Sequence, residues 1–354
     1  MQNRTLGNSG TIVSSMALGT MDFGTMTSED DSFNVLDAFV EAGGTLIDTA
    51  DVYGGGASEK TLGKWFASRA ADTTEPVVLA TKGRSPAGDG TNDQGNSRRH
   101  LDRQLNQSLR RLGRENVDLY QLHAWDPLTP VEETVAFLGD AISAGKIHSW
   151  GISNFTGWQL QLMVSTARAL GVAAPVTLQQ QYSLLSRESE SDVFPGAAYN
   201  HVGLLAWSPL ADGFLTGKYS REDNPTSSTR AGSDNPIYQF TAGYRAADPR
   251  TWDIVDAVVK AADEVGASPA RVALSWLHDR SGLVAPIIGA RNVDQLHDNL
   301  AAADLHLDAA VRNRLDEISA PRVGQYPYGP FGAAQRARTV EGGAPLAAVI
   351  GDAK

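Results

Sequence analysis

Short runs dense in Val, Ile and Leu recur along the chain, separated by longer stretches in which apolar residues fall three and four apart. The runs are "SMALG" (15–19), "TLID" (45–48), "VVLATK" (77–82), "VDLYQLH" (117–123), "IHSWGIS" (147–153), "VTLQQ" (176–180), "GLLAWS" (203–208) and "APIIG" (285–289), eight in all. Runs this short predict buried strands, and the spacing over 33–41, 97–112, 132–144 and 158–170 predicts amphipathic helices between them. Helix-start chemistry supports the alternation. "TPVEE" predicts Thr129 as N-cap, Pro130 at the first helical position and Glu132 closing a capping box. Thr156 with Gln159, and Asn292 with Gln295, repeat the pattern, and "SPAR" starts a helix at Ser268. Strands alternating with helices imply a parallel sheet. Eight units predict closure into a (β/α)8 TIM barrel, with a β-hairpin at the N-terminus and long loops and a tail toward the C-terminus. The rival is an open doubly wound sheet, whose G-x-G-x-x-G fingerprint "ALGTMDFG" does not match.

No linker interrupts the pattern, so 1–354 is expected to form one barrel domain. Two stretches stand apart. From 219 to about 250 the chain is polar and holds Pro225, Pro236 and Pro249, which predicts a long functional or mobile loop. From about 320 it is rich in Gly and Pro, an irregular tail expected to pack partly over the barrel and then fray. The net charge of −11 argues against nucleic acid and anionic membrane partners. The absence of cysteine excludes disulfides and thiolate chemistry. "MQNRTLGNSG" has no apolar signal region and no run is long enough to span a membrane, so a cytoplasmic protein is expected. Whether it is a monomer or a homo-oligomer stays open.

In such barrels chemistry gathers at the C-terminal strand ends. The last residues of successive runs are Asp48, Lys82, His123, Ser153 with Asn154, Gln179 and Trp207, a polar ring around one mouth. Singly, each has a plain explanation: a turn cap, a snorkelling lysine, a core histidine. Together they do not, because unrelated accidents would fall at both ends of the strands.

Between about Arg4 and Ser319 the chain resembles the aldo-keto reductase family. The matching stretches are "LGTMDFG", "IDTADVYGGGASEKTLG", "LATKG", "SLRRLGRENVDLYQLH", "GKIHSWGISNF", "LQQQYSLLSRE", "SPLADGFLTGKY" and "PIIGARNVDQLHDNL". The resemblance implies a barrel that binds a nicotinamide dinucleotide without a Rossmann domain, and a catalytic tetrad on Asp48, Tyr53, Lys82 and His123. It implies that Ser153, Asn154 and Gln179 hold the carboxamide and that Trp207 stacks on the ring. Gly19, Thr20, Met21, Ser208, Pro209, Leu210, Gly213, Lys218 and Gly289 would line the rest of the cofactor groove. Arg291, just before a capped helix start, suits a 2′-phosphate, with Gln295 and Asn299 toward the adenine. NADP(H) is therefore expected over NAD(H), although Gln295 stands where some NADP-preferring relatives carry arginine.

The tetrad makes chemical sense. Hydride delivery to a carbonyl carbon builds charge on the oxygen, so a proton donor must wait there. Tyrosine gives up its proton reluctantly, and a neighbouring ammonium should bring its pKa toward working pH. Lys82 would be that ammonium, Asp48 its counter-ion, and neutral His123 a second donor to the substrate oxygen. The expected activity is reversible reduction of an aldehyde or ketone, with oxidation of a sugar or secondary alcohol as the alternative direction.

Phe23, Trp125, Tyr238 and Phe240 are candidate pocket walls. His100, His278, His297 and His306 read as solvated helix residues. Two rival readings stand beside the reductase: a cofactor-binding subunit resembling potassium-channel beta subunits, and a metal-dependent lyase or hydrolase using Asp48, Asp51 and His123. The latter leaves Lys82 and Tyr53 without a role and shows no metal-ligand spacing. "GFLTGKY" is not a P-loop.

Overall fold

The structure is a computed structural model that describes residues 1–221, 229, 232 and 236–337, the side chains of 236–238 excepted. A hairpin, β1 (Asn3–Thr5) and β2 (Ile12–Ser14), precedes β3 (Ala17–Gly19) and α1 (Glu29–Glu41). Then follow β4 (Leu46–Asp48), α2 (Ala57–Ser68), α3 (Ala71–Thr74), β5 (Val78–Gly83), α4 (Arg98–Leu112), β6 (Val117–Leu122) and α5 (Val131–Ser143). The second half runs β7 (Ile147–Ser153), α6 (Gly157–Leu170), β8 (Thr177–Gln181), α7 (Val193–Tyr199), β9 (Gly203–Trp207), α8 (Pro236–Ala247), α9 (Pro249–Val265) and α10 (Pro269–His278). It closes with β10 (Leu283–Ile288), α11 (Val293–Leu300), α12 (Ala309–Ser319) and α13 (Pro330–Arg336).

Strands β3 to β10 pair in parallel and close into a barrel, β10 beside β3. All eight match the predicted runs to within two residues at each end. The period of two then decides which side chains face inward. Leu46, Val78, Ala80, Leu119, Leu205 and Ala285 fill the barrel, together with Leu6 and Val13 from the hairpin that closes its lower end. The alternate positions, Ile47, Leu79, Tyr120, Ile152 and Leu178, face the helices in a second core. Gly7 makes the plug possible: its φ is 57° and a Cβ there would sit 1.7 Å from the Val176 carbonyl oxygen. Register carries the inward parity up to the rim. Asp48 pairs with Ala80, Lys82 with Gln121, and Ser153 with Gln179, so Asp48, Lys82, Gln121, Ser153 and Gln179 all point into the top layer.

The structure corrects several expectations. The stretch from 219 to 250 is not a structureless loop, since α8 and α9 occupy 236–247 and 249–265. Two of its prolines stand at the first positions of helices, where they start structure rather than break it; Pro225 lies outside the described residues. The capping box at Thr129 does not form: α5 begins after Pro130, and the Thr129 hydroxyl donates to Asp126 Oδ2 at 2.6 Å. The box at Thr156 and Gln159 does. His100 and His278 are buried, not solvated. His100 lies on the inner face of α4, and the His278 ring meets Arg4 Nη2 at 3.2 Å from Nε2, tying the hairpin to α10. In the tail, 321–337 folds on itself through Gly332 N–H to the Gln325 carbonyl at 3.0 Å, and Tyr326 and Phe331 stay exposed.

Candidate active site

The densest part of the rim lies over β4, β5 and β6. The Lys82 ammonium donates to Asp48 Oδ2 at 2.5 Å, to the Thr49 carbonyl at 2.8 Å and to the Tyr53 hydroxyl at 3.1 Å. Its three protons are thereby matched by three acceptors. Lys82 is fully buried and Asp48 nearly so. Burial pulls the Lys82 pKa down, but Asp48 and Tyr53 outweigh it and the net displacement is upward, so the ammonium stays charged.

Asp48 is held from its other side. Its Oδ1 accepts from Gln121 Nε2 at 3.1 Å and from Gln179 Nε2 at 2.8 Å. Gln121 was not expected. Its signal was parity: it stands two residues before His123 on the same strand, on the inward face. Gln179 was expected at the nicotinamide, and here its amide nitrogen supports the counter-ion.

Tyr53 reaches Lys82 because of the glycines after it. Gly54, Gly55 and Gly56 have φ of 57°, 62° and 91°, three successive left-handed residues that turn the chain back into α2. Behind this turn, buried Glu59 accepts from the Thr81 hydroxyl and from Arg111 Nε, each at 2.6 Å. Asp51 does not join Asp48 as a carboxylate pair. Both its oxygens are buried without a hydrogen-bond partner among the described residues, and burial and Glu59 push its pKa up to about 7.

The expected lowering of the Tyr53 pKa is not what the site produces. Burial raises it, Lys82 pulls it back, and the nearby Asp48 charge offsets part of that pull, so the net displacement is upward from 10.0. His123 follows expectation. Burial, Lys82 and Arg84 push its pKa down to about 3, so the imidazole is neutral at ordinary pH. Its ring meets Tyr53 edge-on, centroids 5.9 Å apart, and Ser85 Oγ lies 3.4 Å from Nδ1.

The neighbouring tips form a second group. Asn154 sits in the left-handed region at φ 60°. Its Nδ2 donates to the His123 carbonyl at 2.9 Å and to Ser153 Oγ at 3.1 Å, while its Oδ1 accepts the Trp207 indole N–H at 3.1 Å. Trp207 is thus pinned at the mouth.

Beyond Trp207, a groove of about 510 Å³ opens between the loops after β9 and β10. It brings together Ser208, Pro209, Leu210, Gly213 and Lys218 on one side with Gly289, Arg291, Gln295 and Asn299 on the other. Asn292 caps α11 through Gln295 N–H at 2.9 Å, and the Gln295 side chain accepts the Arg291 N–H at 3.0 Å, so it organises the helix start. Asn299 Nδ2 donates to the Gly289 carbonyl at 3.1 Å. Asp212, an unexpected member, sits at φ 56° and forms a buried ion pair with Arg245 that docks α8 onto the loop after β9.

Other expected residues fall elsewhere. Gly19 packs against Ile287, and buried Thr20 commits its hydroxyl to the Asp48 carbonyl and Ser58, tying β3 to β4. Met21 follows them, half-buried, on the same turn. Phe23 is turned into the helix-side core by a bridge to Thr27 and is not a pocket wall. Trp125 does stand at the mouth, edge-on to Phe155 and Trp158. Phe240 is exposed on α8, and the Tyr238 side chain lies outside the described residues.

The rim thus carries a buried lysine–aspartate pair under a tyrosine hydroxyl at the mouth of a closed parallel barrel. The family model described as "Aldo/keto reductase family" matches residues 15–320, and the chain belongs to that family. It is 35% identical over 335 residues to "Uncharacterized oxidoreductase YrpG" of Bacillus subtilis, covering 92% of this chain and 98% of that one. It is 34% identical to "Probable voltage-gated potassium channel subunit beta" of Oryza sativa, over 86% and 92% of the two chains. "Aldo-keto reductase NECHADRAFT_45914" of Fusarium vanettenii is 31% identical, over 90% and 91%. No helix among the described residues is long and apolar enough to cross a membrane.

Proposed function

We propose that the protein is an NADP(H)-dependent reductase of aldehydes or ketones in which Tyr53 is the general acid. The observation that carries this reading is the Lys82 ammonium shared between Asp48 Oδ2 and the Tyr53 hydroxyl, at 2.5 and 3.1 Å. The groove fits a dinucleotide in its chemistry. It offers Lys218 and Arg291 as cations, and the lack of a side chain at Gly213, where a Cβ would meet Lys218 Cε at 2.6 Å, lets the Lys218 chain lie against the groove's backbone. When bound there, the nicotinamide supplies the hydride.

This chain's own residues do the rest. Tyr53 gives its proton to the carbonyl oxygen as charge develops, and the adjacent ammonium stabilises the phenolate left behind. Asp48, braced by Gln121 and Gln179, keeps that ammonium charged in a dry place. Neutral His123 donates a second hydrogen bond and orients the substrate. Trp207, held through Asn154, offers a flat wall for the nicotinamide ring. Arg291 selects the 2′-phosphate. The raised Tyr53 pKa keeps the phenol protonated at neutral pH, the state a proton donor needs.

The likeness to a potassium-channel beta subunit supports a second reading, a cofactor-binding subunit with little turnover. One assay separates the two: NADPH consumption followed at steady state with a panel of aromatic and aliphatic aldehydes and ketones. Sustained turnover is expected. NADPH that binds without being consumed by any carbonyl would favour the subunit.

A further inference from the structure

One cation at the mouth is not used by the tetrad. Arg84 follows Gly83 at the tip of β5, next to the backbone on which His123 hangs, since the His123 N–H donates to the Gly83 carbonyl at 2.9 Å. Its φ is 128°, a region in which residues other than glycine are strained. The guanidinium has little to hold it there. Nη2 makes one long hydrogen bond, 3.4 Å, to the Trp125 carbonyl, and Nε is buried with no partner among the described residues.

Among the described residues no carboxylate hydrogen-bonds the guanidinium. Lys82 is matched by Asp48. Asp126 feels the Arg84 charge from a distance, but its oxygens accept from Asn96 N–H, Leu128 N–H and the Thr129 hydroxyl and not from the guanidinium. His123 is neutral. A half-buried guanidinium with spare donors, beside the atoms that would orient a substrate, is a recognition group for a planar anion. Apolar surface begins beside it at Trp125 and continues from there to Trp158, which is edge-on to Trp125 and 60% exposed.

Resting on the reductase reading, we propose that Arg84 selects carbonyl substrates that carry a carboxylate on an apolar or aromatic body. A carboxylate is preferred to a phosphate because a single planar fork matches a planar monoanion, and among the described residues no second cation hydrogen-bonds alongside it.

The test compares 4-carboxybenzaldehyde with its methyl ester on the full-length protein with NADPH. Wild type is expected to prefer the acid. In Arg84→Met the ratio of kcat/KM between acid and ester should fall about ten- to a hundredfold, what a charge-assisted hydrogen bond supplies, and the loss should appear in KM. Arg84→Lys should recover part of it. A ratio indifferent to the substitution, with both aldehydes still turned over, overturns the assignment and leaves the reductase reading standing. Absence of turnover for both in wild type, with no other carbonyl of the panel reduced either, overturns the reductase reading instead. The Arg84 assignment is then decided by calorimetric titration with 4-(hydroxymethyl)benzoate against its amide: selective loss of acid binding in Arg84→Met upholds it, and equal binding by variant and wild type contradicts it.

Discussion

The two halves of the mouth are built on opposite plans. Over β4, β5, β6 and β8 Asp48, Lys82, Gln121 and Gln179 come from strands, point inward by parity, are buried and are bound to one another, with Tyr53 brought to them by a turn. Over β9 and β10 the groove is made by loops and a helix start, and its side chains bond mostly to nearby backbone. The first region has its chemistry assembled before any ligand arrives, which is what electrostatic preorganisation requires. The second is a surface with donors and room, suited to binding.

That contrast can be broken by substitution. The largest effect belongs to Tyr53→Phe. It should lower the rate of carbonyl reduction by about 10²- to 10⁴-fold, the usual contribution of a positioned acid, and leave NADPH affinity measured by fluorescence nearly unchanged. Retention of wild-type kcat would remove Tyr53 from the mechanism. Lys82→Met should abolish activity as well and, because it strands buried Asp48, should cost about 3–5 kcal/mol of stability. Adding Asp48→Asn should restore much of that stability and none of the activity, as read by urea unfolding; equal stability of the single and double variants would mean that the pair is not coupled. In the groove, Arg291→Ala should raise the KM for NADPH about ten- to a hundredfold, much more than that for NADH, with kcat spared. Equal changes for both cofactors would mean that Arg291 does not meet the 2′-phosphate.

The same division separates what the sequence disclosed from what it hid. Asp48, Lys82 and His123 were legible because each ends a short apolar run, and a period of two then fixes their direction. Tyr53 was legible through the resemblance, and the glycines after it carry the turn it needs. Gln121 was hidden by its neighbours, one polar residue in a strand whose end drew attention to His123. The Asp212–Arg245 pair joins positions 33 apart through a left-handed aspartate, and no local pattern announces such a contact. The same holds for α8, whose flanking prolines resembled loop punctuation. His100 was misread because the arginines beside it concealed the inner face of α4. The raised Tyr53 pKa could not be inferred from residue types, since it depends on burial outweighing a nearby ammonium.

The central claim is that the proton comes from Tyr53 and not from His123, and the two differ widely in acidity. A proton donor works while it is protonated, so the rate stays full below its pKa and falls as pH rises through it. The decisive measurement is the single-turnover rate of hydride transfer from NADPH to an aldehyde, followed by stopped flow across pH. With Tyr53 displaced upward from 10.0 and His123 neutral down to about 3, the account expects a rate flat through neutrality that declines only above about pH 10. A decline centred between pH 6 and 7, near the ordinary histidine value of about 6.5, would make His123 the acid and contradict it.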